Sequence, residues 1–594
     1  MDSFRGEARR PLQTYAGPGA PSSALTPCPG GASLASMSTA TKIDDGAWRV
    51  AASGEWSPER RPEACGLRGM VASAHPVAAA IGVTVLERGG NAFDAAIAVA
   101  AAEGVVLPMM CGLGGDAFVV GYDARRRELV AFNGSGVAAA GATREYYVSR
   151  GFRTMPVDGV HAVAVPGAVS VYEAIWKRLG SRPWAELWAP AIRLAEDGVA
   201  ITAPVRARIA ERAEFLARHP LAVRQFLPAG RPPAAGERWA CPEYGKSLRA
   251  VAEGGADTFY RGELAARLLA FLEQEGALFA PDDFARQEAA VSAPIATDYR
   301  GVTIHQTAPP SQGFLLLEQL NILEGFDLGR LDPLSADRIH LLVEAKKLAF
   351  ADRNRYAGDP AFVRWPLSEL IGKAHAARRR AAIDLGQARL PDAPPVAEPG
   401  GDTSYFAVAD GEGNAVSFIH SLSASFGSGV VAGETGILLN NRAGRGFRLD
   451  DGHPNAIAPG KRTMHTLNAY LVCRGGRPWL CGGTPGGDQQ TQWNAQVLTN
   501  LLDHRLGLQP AVDAPRWYSF PGSDPANLDQ PMVLRLEGRV PEATRAELAA
   551  RGHRVETLGP WHGGGAVQLV EIDPATGVLR GASDPRAGGV ALGL

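Results

Sequence analysis

The chain has little that would point to a disulfide-bonded or membrane-spanning protein. Its 594 residues include six cysteines, none of them in a CxxC pair, so neither a disulfide framework nor a zinc site is expected. The most apolar stretch, residues 92–110, is interrupted by Asp94, Glu103 and Pro108, which argues against a transmembrane helix. The N-terminus lacks the apolar segment of a secretory signal. We therefore expect a cytoplasmic protein without a membrane partner.

A net charge of one sign is also missing. There are 60 Lys and Arg against 62 Asp and Glu, so no overall attraction to nucleic acid is expected. Gly112–Ala117 fits the GxGxxA dinucleotide pattern, but a predicted helix precedes it where a strand is required. A nucleotide-binding oxidoreductase is therefore set aside. The chain has no GxSxG or HExxH motif, and its twelve histidines are scattered, so no metal site is predicted.

Glycine and proline are abundant, at about 19% of the chain against about 12% in an average protein. Residues 1–67 lack periodicity and are expected to form a disordered leader. The segment 391–402 contains four prolines and two glycines, and this loop separates a helix-rich part, 68–402, from a sheet-rich part, 403–594. Apolar periodicity predicts helices over 77–88, 92–106, 168–179, 184–197, 262–275, 336–356, 371–384 and 490–501. Alternation predicts strands over 69–74, 118–122, 129–132, 404–409, 415–422, 464–473, 479–482, 566–572 and 578–582.

Thr403 stands where this loop meets the first predicted strand of the second part. A threonine at this point is unremarkable in itself, because strands favour threonine. If the chain were cut before Thr403, however, its hydroxyl and a new α-amine would belong to one residue. That amine, with a reference pKa near 8, could act as general base for the hydroxyl without any histidine. The local sequence leaves both interpretations open.

Seven segments spread over residues 68–594 carry a more specific signal. They are Gly89–Ala96, Gly112–Gly115, Val165–Gly167, Thr403–Val416, Phe426–Asn441, Gly483–Gly487 and Ala582–Arg586. Together and in this order they resemble the γ-glutamyltranspeptidase family, whose members are self-cleaving enzymes of the N-terminal nucleophile hydrolase class.

The resemblance implies an α+β fold, the αββα sandwich, with two stacked antiparallel sheets between helical layers. It also implies a proenzyme that cleaves itself between Asp402 and Thr403. The resulting chains, 1–402 and 403–594, would stay together as a heterodimer, either alone or as a dimer of heterodimers. Residues 68–594 would form one αββα unit.

The resemblance further assigns catalytic roles. Thr403 would be the nucleophile, with its own α-amine as base, and Ser421 would be the hydroxyl that assists it. Gly486 and Gly487 would supply backbone N–H groups to the oxyanion, since the absence of Cβ atoms allows a close approach of the backbone. No metal or organic cofactor is implied, because the nucleophile carries its own base.

The substrate-binding positions depart from the family pattern. Asn133 stands where an arginine would hold the α-carboxylate of a γ-glutamyl group, and Arg445 where an acidic residue would hold its α-amine. An ammonium beside Arg445 would be repelled, whereas a carboxylate could form a bidentate pair. The alternative is that Arg442 and Arg445 are solvated or structural charges. The full predicted substrate-binding set is Asn133, Ser423, Arg442, Arg445, His465 and Thr466, in which His465 and Thr466 replace a Ser-Ser pair and Ser423 a common asparagine.

We therefore predict an amidohydrolase or acyltransferase acting on a small amide with a carboxylate on the acyl side, through an acyl-enzyme ester. An amine or amino acid could replace water as acceptor. The substituted positions resemble those of the oxamate amidohydrolases and cephalosporin-acylase-like proteins. One alternative is a genuine γ-glutamyltransferase or glutathione hydrolase. Another is an uncleaved, inactive family member that acts as a binding protein.

Overall fold

The computed structural model describes residues 61–389, 403–520 and 532–594. Residues 1–60 of the expected leader and the whole loop 391–402, which ends at the predicted cleavage residue Asp402, lie outside these ranges. Among the described residues, no helix combines the length and the apolar character needed to cross a bilayer.

Two seven-stranded antiparallel sheets form the centre of the fold. The first has the strand order β19-β2-β10-β11-β3-β4-β7 and the second β1-β18-β17-β13-β12-β9-β8. Small additional sheets are made by β14, β15 and β16, and by β5 and β6. The strands are β1 Ala64–Gly66, β2 Gly69–Ser73, β3 Asp116–Asp123, β4 Glu128–Asn133, β5 Val199–Ala200, β6 Arg238–Trp239, β7 Ala290–Ser292, β8 Ile295–Tyr299, β9 Val302–Gln306, β10 Ser404–Asp410, β11 Ala415–Ser421, β12 Tyr470–Arg474, β13 Arg477–Gly483, β14 Trp517–Phe520, β15 Val533–Glu537, β16 Val555–Leu558, β17 Gln568–Ile572, β18 Leu579–Ser583 and β19 Val590–Gly593.

Helices cover the outer face of each sheet. One layer packs on the first sheet around Phe93 and Phe418, and another on the second sheet around Leu316 and Leu480. The α-helices are α1 Pro76–Glu87, α2 Ala92–Val106, α3 Arg144–Ser149, α4 Ala168–Leu179, α5 Trp184–Asp197, α6 Ala203–Glu211, α7 Ala213–Leu216, α8 Pro220–Phe226, α9 Pro242–Tyr260, α10 Glu263–Gln274, α11 Pro281–Ala285, α12 Gly313–Leu323, α13 Ala336–Tyr356, α14 Leu367–Leu370, α15 Lys373–Arg380, α16 Arg442–Gly446, α17 Gln490–Leu502, α18 Leu508–Asp513 and α19 Glu542–Ala550.

A separate apolar core lies between the two sheets. Strand alternation points Tyr405 and Ala407 of β10 toward this core and Phe406 and Val408 toward the helices. The αββα sandwich predicted from the sequence is confirmed. Both sheets combine strands from before and after position 402, so neither part of the chain holds a complete sheet by itself.

Most predicted boundaries differ from the structure by no more than two residues, and three differences are more informative. Residues 64–66 form β1 and pair with β18, so order begins before residue 68. The predicted strand over 464–473 is wrong in its first six residues, because His465 instead bonds through its backbone to the loop before α12. The predicted helix over 371–384 is confined to α15, which starts after Gly372.

Candidate active site

Thr403 immediately precedes β10 and is 1% exposed. β10 and β11 form an antiparallel hairpin in which Ser404 lies opposite His420, so the next pair outward is Thr403 and Ser421. The Thr403 hydroxyl donates to Ser421 Oγ at 3.1 Å. Ser421 Oγ also accepts from the backbone N–H of Ser423 at 2.8 Å. The structure thus brings the predicted nucleophile and its assisting hydroxyl together.

A buried carboxylate, Asp116, lies next to this pair. It starts β3, opposite Ser421 in the sheet, and is completely buried. Arg442 Nε donates to Asp116 Oδ2 at 3.1 Å, and the Arg442 side chain is itself buried. Burial raises the pKa of Asp116 to about 6, and the Arg442 guanidinium opposes that increase. Arg442 is therefore compensated by a carboxylate of the protein.

His465 lies on the other side of Asp116, with Nε2 3.9 Å from Asp116 Oδ2. The imidazole is fully buried and packs on Phe118 at 4.9 Å between ring centroids. Burial lowers the pKa of His465 well below its usual value, and the positive charges of Arg442 and Arg462 add to the effect. The ring is therefore neutral at physiological pH.

Arg445 is more accessible than Arg442. It is half-buried on α16, and its Nη1 donates to the backbone carbonyl of Ser423 at 2.9 Å. Ser423 has a positive φ of 85°, which is uncommon for a residue other than glycine. The Arg445 guanidinium thus lies against Ser423, which is two residues after Ser421 in the chain.

Asn133 bonds within its own turn. Its side-chain oxygen accepts from the backbone N–H of Ser135 at 2.9 Å, and the carbonyl of Ser135 accepts from Arg462 Nε at 3.1 Å. Arg462 is half-buried, and its charge acts on His465. The guanidinium that the family places at position 133 is thus absent there, and Arg462 supplies one nearby.

Gly486 and Gly487 follow the end of β13, where Gly483 approaches the Tyr405 ring so closely that a Cβ would lie 2.4 Å from it. Their φ angles are 132° and 56°, values that favour glycine. A Cβ on Gly486 would lie 2.2 Å from the Trp493 ring. Within the described ranges no protein group accepts from the N–H of Gly486. The turn is therefore a candidate donor site for an anion.

Thr466 is linked to this turn through Gln312, which begins α12. The Gln312 amide nitrogen donates to the carbonyl of Thr466 at 2.7 Å and to that of Gly487 at 3.0 Å. Because Thr466 follows His465, the contacts run continuously from Thr403, through Ser421 and Asp116, to the Gly487 turn. Eight of the ten predicted site residues lie on this path or next to it. Arg445 reaches it only through Ser423, and Asn133 only through Phe118, which pairs with Asn133 in the sheet and packs on His465.

Sequence reasoning missed several residues of this cluster. Asp116 directly follows the matched segment Gly112–Gly115, and that adjacency was the available signal. Gln312 and Arg353 reach the site from α12 and α13 through contacts far apart in sequence, which no local pattern shows.

Among the residues that the structure describes, three clusters of potential metal ligands lie outside this site. In each, the ligand atoms lie within 4.8 Å of one another, but side-chain hydrogen bonds or ion pairs already link several of the groups. Thr403 belongs to none of them. The clusters are Glu103, Cys111 and His420; His340, Glu344 and His553; and Glu318, Asp352 and His375.

Comparison with known proteins gives concordant results. The family model for gamma-glutamyltranspeptidase matches residues 78–594. The glutathione hydrolase-like YwrD proenzyme of Bacillus subtilis is 39% identical over 89% of this chain and 99% of its own length. The oxamate amidohydrolase proenzyme of Klebsiella pneumoniae is 35% identical over 88% of this chain and 98% of its own length.

A solved structure is similar over nearly the same range. The crystal structure of cephalosporin acylase from Bacillus halodurans has a TM-score of 0.84 and 36% identity. The match covers 91% of this chain and 98% of that one. The resemblance noted in the sequence is therefore confirmed, both in the family and in the acylase and oxamate amidohydrolase relatives.

Proposed function

We propose that Thr403 is the nucleophile of this chain, because the chain belongs to the gamma-glutamyltranspeptidase family and its homologues are self-cleaving hydrolases and transpeptidases. The observation that carries the proposal is the 3.1 Å hydrogen bond from the hydroxyl of Thr403, which stands just before the central strand β10, to Ser421 Oγ. A strand in the middle of a sheet holds the hydroxyl in one place, as nucleophilic catalysis requires.

Self-processing would create the base. The Thr403 hydroxyl attacks the carbonyl carbon of Asp402, and the peptide nitrogen leaves as the free α-amine of Thr403. Water then hydrolyses the resulting ester to a new C-terminal carboxylate and the free hydroxyl. Strands from both sides of the cut share both sheets, so the two chains would remain associated as a heterodimer.

Catalysis would repeat the same chemistry on a substrate amide. The α-amine takes the Thr403 hydroxyl proton as the oxygen attacks the amide carbon, and the proton passes to the leaving amine. The developing oxyanion would accept hydrogen bonds from Gly486 and Gly487, and loss of one such donor typically costs about 100- to 1000-fold in rate. Water, or an amine acceptor, then resolves the acyl-enzyme ester.

The acyl group would carry a carboxylate and no α-ammonium. Arg442 is paired with Asp116, so those two charges compensate each other, and His465 is neutral. Arg445 and Arg462, both half-buried, bring two further guanidiniums near this pair, and a guanidinium can bind a carboxylate through two hydrogen bonds. We propose a small dicarboxylic monoamide or a related acid amide, such as oxamate, as the substrate class.

A second candidate is hydrolysis or transfer of a genuine γ-glutamyl group. It is favoured by the similarity to a protein named a glutathione hydrolase-like proenzyme. The buried carboxylate of Asp116, which lies opposite Ser421 in the sheet, could meet an α-ammonium, but it already accepts from Arg442.

A matched pair of chromogenic amides separates the two candidates. Glutaryl-p-nitroanilide and L-γ-glutamyl-p-nitroanilide share the five-carbon acyl chain and its terminal carboxylate, and differ only by the α-ammonium of the γ-glutamyl group. The proposal expects a higher kcat/KM for the glutaryl compound, and no turnover of either by Thr403→Ala. A preference for the γ-glutamyl compound would support the second candidate, and turnover by Thr403→Ala would contradict the assigned nucleophile.

A further inference from the structure

Two buried glutamines bracket the Gly487 peptide. Gln312 and Gln490 are both completely buried, one at the start of α12 and the other at the start of α17. Gln312 Nε2 donates to the Gly487 carbonyl at 3.0 Å and to the Thr466 carbonyl at 2.7 Å. One side chain therefore ties the proposed oxyanion turn to the segment that carries His465 and Thr466.

Gln490 makes the complementary contacts. In the amide orientation that pairs it with both segments, Gln490 Nε2 donates to the Thr466 carbonyl at 2.9 Å and Oε1 accepts from the Gly487 N–H at 3.2 Å. In the opposite orientation Oε1 accepts instead from Asn468 Nδ2 at 2.8 Å. Both glutamines thus bridge Thr466 and Gly487. One holds the carbonyl of Gly487 and the other its N–H.

The orientation of Gln312 is fixed by Arg353 of α13. Arg353 Nη1 donates to Gln312 Oε1, and because a guanidinium can only donate, the amide nitrogen must face Thr466 and Gly487. Arg353 Nη2 also pairs with Asp488 Oδ1 at 2.6 Å, and Asp488 is the residue after Gly487. The turn is therefore held at two consecutive residues, at Gly487 by Gln312 and at Asp488 by Arg353.

We infer that Gln312 and Gln490 are positioning residues that hold the Gly486–Gly487 turn in the geometry that binds the oxyanion. The inference rests on the proposed function. Oxyanion donors lower a barrier only when they are already in place as charge develops, and a misplacement of about 1 Å can cost about 100-fold. Gln490 holds the Gly487 N–H through a long bond that an oxyanion, as a charged acceptor, would replace.

Replacement of Gln312 by methionine tests the inference directly. Gln312→Met keeps the side-chain length and removes both donors to Thr466 and Gly487. We expect kcat for glutaryl-p-nitroanilide, or for the better of the two anilides, to fall about 10- to 100-fold with KM changed less than about threefold. Rates are expressed per processed enzyme, counted by intact mass, so that a loss of folding or processing is not read as a loss of kcat.

Gln319→Met is the matched control. Gln319 is a buried glutamine on the same helix, α12, and its amide nitrogen donates to the Leu315 carbonyl of that helix at 3.0 Å. We expect this variant to keep kcat within about twofold of the parent, because the lost contact stays within the helix and reaches neither Thr466 nor Gly487.

Gln490 gives an independent second test, which also serves if Gln312→Met yields no processed protein. Gln490→Glu places a carboxylate against the Gly487 N–H. The carboxylate should bind this N–H more tightly than the amide does, and its charge should repel an oxyanion. We therefore expect kcat to fall further in Gln490→Glu than in Gln490→Met. If the processed Gln312 and Gln490 variants have the same kcat as the parent, the inference is overturned, while the proposed function stays intact. An unprocessed, inactive parent would instead contradict the proposed function.

Discussion

Asp116 Oδ2 lies 3.1 Å from Arg442 Nε, and both side chains are buried beside the residue that faces Thr403 across the sheet. Arg442 and Arg445 are only three positions apart, yet the fold gives them different surroundings. Arg442 neutralises an internal carboxylate, whereas Arg445 is half-buried at the carbonyl of Ser423. Because Arg442 is buried and already paired, Arg445 is the one of the two that we propose as the anchor for a substrate carboxylate.

The first prediction concerns stability against pH. Burial raises the pKa of Asp116 to about 6, so the folded state holds this proton at pH values where the unfolded state has lost it. The Asp116 contribution to the free energy of unfolding is then greatest below about pH 4, declines as pH rises and is lost above about pH 6, by about 3 kcal/mol in all.

Asp116→Asn removes this titration. Measured by urea unfolding in the uncut Thr403→Ala background, the stability of Asp116→Asn relative to its parent should rise between pH 4 and pH 7. A constant difference across that range would show that Asp116 ionises in the folded protein at its usual pKa.

The second prediction concerns the hydroxyl beside the nucleophile. Ser421→Ala removes the acceptor that orients the Thr403 hydroxyl, and a hydrogen bond of this kind contributes about 1 kcal/mol, or about fivefold in rate. We expect kcat to fall by at least that factor, and Ser421→Thr, which keeps the hydroxyl, to retain more activity. Ser417→Ala is the control, because Ser417 lies on the same strand and bonds to Tyr405, away from Thr403. Parent-like kcat in Ser421→Ala would remove Ser421 from the assigned machinery.

The third prediction concerns substrate choice. Arg445→Glu reverses the charge beside Ser423, so an anionic acyl group should be repelled and an ammonium attracted. We expect kcat/KM for glutaryl-p-nitroanilide to fall more than that for L-γ-glutamyl-p-nitroanilide. Arg448→Glu, in the same segment but paired with Asp450, should leave the ratio unchanged. An unchanged ratio in Arg445→Glu would place the carboxylate anchor elsewhere, with Arg462 the next candidate.

The fourth prediction concerns the turn after β13. Gly486→Ala would bring a Cβ within 2.2 Å of the Trp493 ring at a φ of 132°. The turn must shift, so kcat should fall by about 100-fold or more if its N–H groups bind the oxyanion. Gly476→Ala is the control: φ is also positive, 76°, but nothing lies within 4 Å of the added Cβ. Comparable kcat in both variants would contradict the oxyanion assignment.

Much of the fold follows from local sequence. The predicted bounds of α2, α4, α5 and α13 agree with the structure residue for residue. Apolar periodicity is strong in α4 and α5, and capping side chains, Asn91 and Ser335, precede α2 and α13. The strands beside Thr403 were also predicted, so the opposition of Thr403 and Ser421 could be expected from the hairpin. Residues 464–469 could not be assigned correctly, since their backbone partners come from the loop before α12, far away in sequence.

The site was predictable only in part, for the same reason. Thr403, Gly486 and Gly487 lie in sequence segments that resemble the family. The different roles of Arg442 and Arg445, in contrast, depend on contacts that only the folded chain makes. Asp116 reaches Arg442 from 326 positions away. Gln312 and Gln490 likewise connect the starts of α12 and α17 with the Gly486–Gly487 turn after β13, and no local sequence pattern shows that connection.

The measurement that tests the central claim most directly is the intact mass of freshly purified protein under denaturing conditions, with Thr403→Ala alongside. The account predicts two chains in the parent, one beginning at Thr403, and a single full-length chain in Thr403→Ala. A parent that stays uncut over days would contradict the self-processing nucleophile, and the chain would then be an inactive member of its family.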